Sequence, residues 1–385
     1  MASLSYRTAG ESHGKALIAL VEGMPAGVAV DLELINAELR RRQGGYGRGG
    51  RQRIEHDAVE VLSGVRRGKT IASPIVLQIV NKDSRLDDAP PVTRPRPGHA
   101  DLAGSVKWLT TDCRETLERA SARETAARVA AGALSRCLLR EFGVDVFGYV
   151  VSIGTAVARV DFVEPLDELK RRRGESDVYC PDAAASEQMR EQIRQAKVAG
   201  DTLGGLVEAR VFGCPPGLGS CVHFDQKLDG RLAQAVMSIQ AFKAVEIGIG
   251  KDAASLPGSK VHDEIGFDPS QRERPSLGFI RKTNNAGGLE GGMTNGQPVV
   301  VRGAMKPIST LLQPLESVDL NTKESSKAAY ERSDVCAVPA ASVILENVLA
   351  FEIARALVEK FGGDSMTEAR ANYDNFLAAA RRLPL

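Results

Sequence analysis

The stretch from about Arg114 to Phe142 constrains the fold of this chain most. It is rich in Ala, Leu, Arg and Glu, and its small apolar residues recur at helical spacing until Gly143 stops it. That spacing predicts one long helix, and the runs around it have a different period. Residues 16–30 (ALIALVEGMPAGVAV) read as a strand, a turn at Met24-Pro25-Ala26-Gly27 and a second strand. Asp31 then caps a helix from about Leu32 to Arg41, and Gly44-Gly45 ends it. Residues 59–65, 75–80 and 205–212 read as strands, and further helices are expected near 226–239 and 340–361. The charged stretch 165–198 reads as peripheral, and the polar tail beyond Gly362 as loosely held. Residues 81–105 form a polar, proline-rich loop of a length that is usually functional or disordered. No strand–GxGxxG–helix unit opens the chain, and the glycine-rich Asn284–Gly292 lacks that spacing. The residues therefore specify mixed α and β structure that is not a doubly wound dinucleotide fold.

Composition excludes several classes of function. Lys and Arg total 50 against 49 Asp and Glu in 385 residues, so bulk attraction to nucleic acid or membrane is not expected. Any anion site must be a local cluster. The six cysteines are scattered without a CxxC pair, which argues against a zinc site and for free buried thiols in a reducing compartment. The N-terminus lacks the flank and apolar run of a signal peptide, and no apolar stretch of about 18 residues occurs. The expected location is the cytoplasm.

Against this background, four constellations could carry chemistry. His13 and His99 sit in glycine-flanked loops, Gly10-Glu11-Ser12-His13-Gly14 and Arg96-Pro97-Gly98-His99-Ala100-Asp101, where backbone can approach a ligand and imidazole can move a proton near neutral pH. His56, His223 and His262 have no such setting. Arg40, Arg41, Arg42, Arg48, Arg51 and Arg53 surround flexible glycines; guanidinium groups match phosphate or carboxylate oxygens, with a nucleic-acid patch as the rival reading. Arg119, Arg123, Lys306 and Arg332 recur further on. The loop 284–296 and the run Lys306-Pro307-Ile308-Ser309-Thr310 suit a phosphate. Arg332-Ser333-Asp334 is either a plain surface pair or a positioned base.

These segments resemble chorismate synthase from about Tyr6 to Gly363. The resemblance rests on GESHGKALIALVEGMPAG (10–27), RRQGGYGRGGR (41–51), RPGHADLAG (96–104), ERASARETAARVAAGAL (118–134), NNAGGLEGGMTNGQP (284–298), MKPIST (305–310) and RSDVCAVPAA (332–341). DTLGG (201–205) and IQAFKAVEIG (239–248) add to it. The resemblance implies an α+β fold, a single-domain β-α-β sandwich of antiparallel sheets enclosing helices. It would span residues 1–363, followed by the 364–385 tail. It also implies a homotetramer and a 1,4-anti elimination of phosphate from 5-enolpyruvylshikimate 3-phosphate to give chorismate, in aromatic amino acid biosynthesis. The cofactor implied is reduced FMN with no net redox change, and either NADPH or an external reductant supplies the electrons that keep it reduced.

By the same resemblance, His13, His99, Asp334, Ser12 and Ser121 take catalytic roles. One histidine serves the departing phosphate and the other the flavin, with the order open. Flavin contacts fall on Arg119, Ala120, Ser121, Gln240, Ala241, Gly291, Lys306, Pro307, Ile308, Ser309, Thr310 and Arg332. Substrate or NADP contacts fall on Arg42, Arg48, Arg51 and Arg123. No metal is implied. The rival within flavin chemistry is an enzyme of net hydride transfer on a phosphorylated anionic substrate.

Overall fold

The structure, a computed structural model, describes residues 4–49, 56–160, 165–330 and 334–383. Two antiparallel sheets enclose a helical layer. The first has the strand order Ser5–Ala9, Ala16–Glu22, Ile75–Val80, Glu60–Ser63, and the second runs Phe242–Ile247, Val299–Met305, Gly205–Phe212, Asp145–Ile153, Ala156–Val157. Strand alternation sets which face is covered. Leu17, Ala19 and Val21 are fully buried, as are Ile75, Leu77 and Ile79 on the adjacent strand, and the Thr125–Arg140 helix packs on that sheet. The Val338–Phe361 helix lies between that helix and the second sheet. Twenty of its 24 residues are buried, as its nearly unbroken apolar sequence requires. The two helices cross closely at Gly132, where a Cβ would come within 2.2 Å of the Asn347 carbonyl oxygen.

Three local expectations are corrected. The helix predicted over 114–142 is broken into Arg114–Ala120, a 3₁₀ turn at Ala122–Glu124, and Thr125–Arg140. Ser121 is extended at the break and its hydroxyl accepts from the Arg123 amide, while Arg42 donates to the Ala122 carbonyl. These tertiary contacts outweigh local helix propensity. After the Met24–Gly27 turn no second strand forms; Ala26 and Ala29 make only isolated bridges to Ser365 and Lys69. The tail is not loosely held. Met366–Ala380 is a helix started by a capping box of Ser365 and Glu368, and Ala369, Tyr373 and Leu377 are buried in the main core. The Tyr373 ring meets Phe142 and Phe361 edge-on at 5.1 and 5.0 Å. The charged 165–198 stretch contains the helices Leu166–Glu175 and Ala183–Ala199, anchored by buried Leu169, Met189 and Ile193. Five of the six cysteines are buried; Cys221 is exposed.

Within the helical layer lies a buried charge network. Arg41 pairs with Glu38 and Glu346 at 2.7 and 2.9 Å, and Arg136 with the same two carboxylates at 3.1 and 3.0 Å. Arg173 reaches Glu346 at 3.1 Å, and Asn347 donates to Glu38 at 2.8 Å. Burial raises the Glu38 pKa, but Arg41 and Arg136 outweigh it and hold the carboxyl down to about 2, against about 4.5 for an unperturbed group. A depressed carboxyl stabilises the fold fully above its unfolded pKa and loses that contribution as pH falls through the folded one. The stability difference between wild type and Glu38→Gln is therefore expected to be largest above about pH 4.5 and to shrink toward pH 2. Urea melts across that range check it, and a difference independent of pH contradicts it.

Candidate active site

Loops from both sheets and the helix break enclose a cavity of about 770 Å³, within the range of small-ligand sites. The N-terminal sheet supplies the loop carrying Ser12 and His13. Gly10 turns that loop at φ +99°, where a Cβ would lie 2.2 Å from the Ala16 carbonyl oxygen. The polar 81–105 loop supplies Asp83, Arg85, Arg96 and His99; the helix break supplies Ser121 and Arg123. The second sheet supplies Gln240 to Lys243 and Met305 to Thr310, and Asp334 closes one side.

Each histidine is backed by a buried carboxylate. The Glu118 side chain accepts from the His13 backbone N–H at 2.8 Å, and its oxygens lie 2.9 and 3.0 Å from His13 Nδ1. Ser12 N–H donates to the Glu118 carbonyl at 3.0 Å, so one residue grips the loop three ways. Burial raises the Glu118 pKa, and the His13 ring and backbone more than offset it, leaving the carboxyl below its ordinary range. On its far edge His13 Nε2 lies 3.7 Å from Asp83. His99 Nδ1 makes a short contact with the fully buried Asp101. Arg96 donates to Asp101 through its backbone N–H and guanidinium at 2.8 to 3.1 Å and also reaches Thr310 at 3.2 Å. Burial raises the Asp101 pKa, but the hydrogen bonds from His99 and Arg96 hold the carboxyl well below the usual range.

Among the described residues, seven lysine and arginine side chains line the cavity with two aspartates: Arg42, Arg48, Arg85, Arg96, Arg123, Lys243 and Lys306 with Asp83 and Asp334. Arg123 holds both oxygens of buried Asp57 at 2.7 Å and donates to Asn81, while Arg42 reaches Asp57 at 3.5 Å and donates to Thr125 and the Ala122 carbonyl. One carboxylate thus serves two guanidiniums. Burial lowers the Arg42 pKa, as do nearby Arg123 and Arg48, with Asp57 opposing them. The remaining positive charge favours an anion in the cavity.

Arg48 pairs with Asp334, whose other oxygen accepts the Gly49 N–H at 2.6 Å, so neither member of that pair is a plain surface charge. Arg48→Ala is therefore expected to raise KM and to lower kcat by releasing Asp334. The combined loss in kcat/KM is about 10- to 100-fold, the size of one charge-assisted hydrogen bond. Steady-state kinetics check this, and a change confined to KM would show that Asp334 holds its place without Arg48.

The cofactor-assigned run is also assembled. Lys306 donates to the Gly98 carbonyl beside His99, and its backbone N–H donates to Ala241 at 3.0 Å. Burial lowers the Lys306 pKa, helped by Lys243. Ala241 adopts φ +68°, a left-handed conformation costly for a residue with a Cβ and commonest where a site demands it. Gln240 donates to Glu124 at 3.1 Å, which fixes its amide, and its buried Oε1 has no hydrogen-bond partner among the described residues.

Not every expected residue converges. Arg119 turns away and donates to the Thr8 and Gly10 carbonyls at 3.0 Å, bracing the first strand rather than facing the cavity. Gly291 lies in the turn between Leu289–Glu290 and Met293–Thr294 and does not line it. The surrounding glycines allow close backbone packing instead: a Cβ at Gly248 would meet the Asn285 oxygen at 1.9 Å. Arg51, Arg53 and Arg332 lie outside the described residues. Where it is described, the basic stretch is not a continuous exposed strip: Arg40 is exposed and pairs with Glu33, whereas Arg42 is buried, Arg41 belongs to the interior network and Arg48 is paired. His56, His223 and His262 are exposed and away from the cavity. Asp57, Asp83 and Arg85 carried no signal in the sequence; Glu118, Lys243 and Asp101 lie in segments that carry the resemblance, which gives them no role. Among the described residues no cluster suited to a metal ion occurs, and no helix is long and apolar enough to cross a membrane.

Comparison with known proteins gives a consistent picture. The family model described as chorismate synthase matches residues 4–358. The chain is 57% identical to the chorismate synthase of Desulforudis audaxviator (strain MP104C), over 98% of both chains. It is 53% identical to that of Geobacter sulfurreducens (strain ATCC 51573 / DSM 12127 / PCA), over 98% of this chain and 99% of the relative. A solved structure titled "Crystal Structure of Chorismate Synthase" superposes with a TM-score of 0.80 at 41% identity, covering 99% of each chain.

Proposed function

This chain belongs to the chorismate synthase family of lyases, and from that premise we propose that its cavity performs the 1,4-anti elimination of phosphate from 5-enolpyruvylshikimate 3-phosphate with reduced FMN. The observation that carries the proposal is the cavity itself, where an excess of lysine and arginine meets two carboxylate-backed histidines. The substrate bears one phosphate and two carboxylates. Arg42, Arg48 and Arg123 supply charge for these groups, and fixed donors in an enclosed site stabilise departing phosphate more than water would. His13, beside Ser12, Ser121 and the arginines, donates a proton to the departing phosphate. His99 stands next to Lys306 and Thr310 and handles the proton at the flavin edge, with Asp334 as the acidic relay.

The residues present fit a flavin. Gln240 presents a fixed, unpartnered acceptor, which suits a ring N–H, and Lys243 and Lys306 suit the FMN phosphate. Ala120, Ser121, Ala241 and the run Pro307 to Thr310 supply walls of the same cavity, and Arg119 supports it from behind. Reduced flavin supplies electron density that assists C–O cleavage and accepts hydrogen from a weakly acidic C–H, chemistry no side chain provides. The pathway role, NADPH as reductant, a homotetramer and a cytoplasmic location go with this proposal.

Adding 5-enolpyruvylshikimate 3-phosphate to the protein with reduced FMN under anaerobic conditions tests it. A perturbed flavin absorbance with release of inorganic phosphate is expected; an unperturbed flavin and no phosphate would overturn the proposal.

A further inference from the structure

The two histidines share a construction that their sequence segments do not reveal. Each turns Nδ1 toward a buried carboxylate outside the cavity lining and its Nε2 edge the other way. A carboxylate can only accept, so the neutral His13 ring carries its proton on Nδ1. At His99, Arg96 Nη2, which can only donate, also stands 3.1 Å from Nδ1. It reaches the same Asp101 oxygen at 3.1 Å, however, and the shorter Asp101 contact favours Nδ1–H there too. We infer that Glu118 and Asp101 are positioning residues that lock His13 and His99 in the Nδ1–H tautomer, so that each presents Nε2 to the ligand as its sole proton-transfer atom. The inference rests on the functional reading above and adds to it how the proton handlers are set.

The Glu118 geometry makes the idea sharply testable. Glu118 accepts two different donors, the His13 backbone N–H and the Nδ1 proton. The backbone N–H has no other state and always needs an acceptor. In Glu118→Gln the single amide oxygen must therefore serve that N–H. The amide NH₂ then falls 2.9 Å from Nδ1, where it repels a ring N–H and can donate to a lone pair, against a retained oxygen 3.0 Å from the same nitrogen that already serves the backbone N–H. The ring proton moves to Nε2, and the atom facing the ligand changes character. Asp101→Asn acts in the same sense: the Arg96 backbone N–H and Nε claim one oxygen, and the NH₂ takes the place of the other, which lies against both His99 Nδ1 and Arg96 Nη2. With Arg96 Nη2 also 3.1 Å from Nδ1, two donors then face that nitrogen and favour its lone pair. Neither variant changes the shape of its side chain, and a merely structural role would not move a tautomer. This is the logic by which an orienting carboxylate serves a catalytic imidazole in hydrolases.

The experiment uses the full chain with ¹⁵N-labelled histidine, free of flavin and substrate, with His13 and His99 signals assigned by single replacement. At a pH where the rings are neutral, wild type is expected to show Nδ1–H at both. Glu118→Gln should convert His13, and Asp101→Asn should convert His99, to Nε2–H. In the turnover assay each variant should lose kcat by on the order of 10²–10⁴-fold with KM changed far less. Unfolding of one variant leaves the other to decide. A wild-type ring protonated on Nε2, a variant that keeps its tautomer, or a converted tautomer with unchanged kcat overturns the inference. If wild type itself fails to turn over substrate, the functional reading falls, while the tautomers still decide the geometric claim.

Discussion

His13→Ala lowers kcat by about two to four orders of magnitude and leaves the protein folded, the usual loss when a positioned proton donor is removed. The loss is expected to be large because the groups beside His13 cannot readily take over the donation. Ser12 and Ser121 are near, at 3.3 Å from each other, but hydroxyls are far weaker acids than imidazolium. Asp83 faces His13 Nε2 at 3.7 Å, and a carboxylate accepts hydrogen bonds and does not supply the proton in its place. The fold survives because Glu118 is not orphaned by the change: it keeps the backbone N–H of residue 13 and has Arg114 at 3.4 Å. KM should move little, since the arginines proposed to meet the anionic groups are untouched. Steady-state kinetics with thermal melting check both halves, and near-wild-type kcat would make His13 a structural residue.

The largest expected loss of stability comes from Glu346, which has no part in the chemistry. Its carboxylate is fully buried and contacts Arg41, Arg136 and Arg173. In Glu346→Leu, Arg41 and Arg136 still share Glu38, but Arg173 keeps only the Gly148 carbonyl at 2.9 Å and the face of Phe147. Breaking a buried pair by removing one partner costs about 3–5 kcal/mol, because the remaining charge stays buried without compensation. Urea unfolding should show a lower midpoint with little change in slope. A loss below about 1 kcal/mol would mean that water reaches the arginines or that the interior rearranges around them. The effect should reach the active site too, because Arg41 adjoins Arg42 at the end of the Leu32–Gln43 helix and Arg42 holds the 121–123 break.

How much of this was legible in the sequence follows from distance along the chain. The two histidine segments, the arginines at 42 and 48 and the run 306–310 are short and local, and the structure brings them to one cavity. Glu118 stands 105 residues from His13, so neither residue's neighbours announce the pair. Lys243 and Arg85 look like ordinary solvated cations until the chain folds around them. The break at Ser121 was hidden for a related reason. Residues 114–142 contain no glycine or proline before Gly132, and the local Ser121 cap is joined at the break by contacts from Arg42, Asp57 and Asn81, all remote along the chain. The tail's polar composition obscures a capping box and one well-placed tyrosine. In the Asn284–Gly292 run, Gly287 and Gly288 serve close backbone packing, where a Cβ would lie 2.3 Å from the Gly248 nitrogen and 2.4 Å from the Pro298 oxygen, and the run does not line the cavity.

The most direct test of the whole account is flavin stoichiometry. Under strictly anaerobic conditions, with FMN reduced once and held far below the substrate concentration, this protein should convert many molecules of 5-enolpyruvylshikimate 3-phosphate to chorismate and phosphate per flavin, with no further reductant consumed. Consumption of one reductant per product would contradict an elimination without net redox change and place the cavity among enzymes of net hydride transfer.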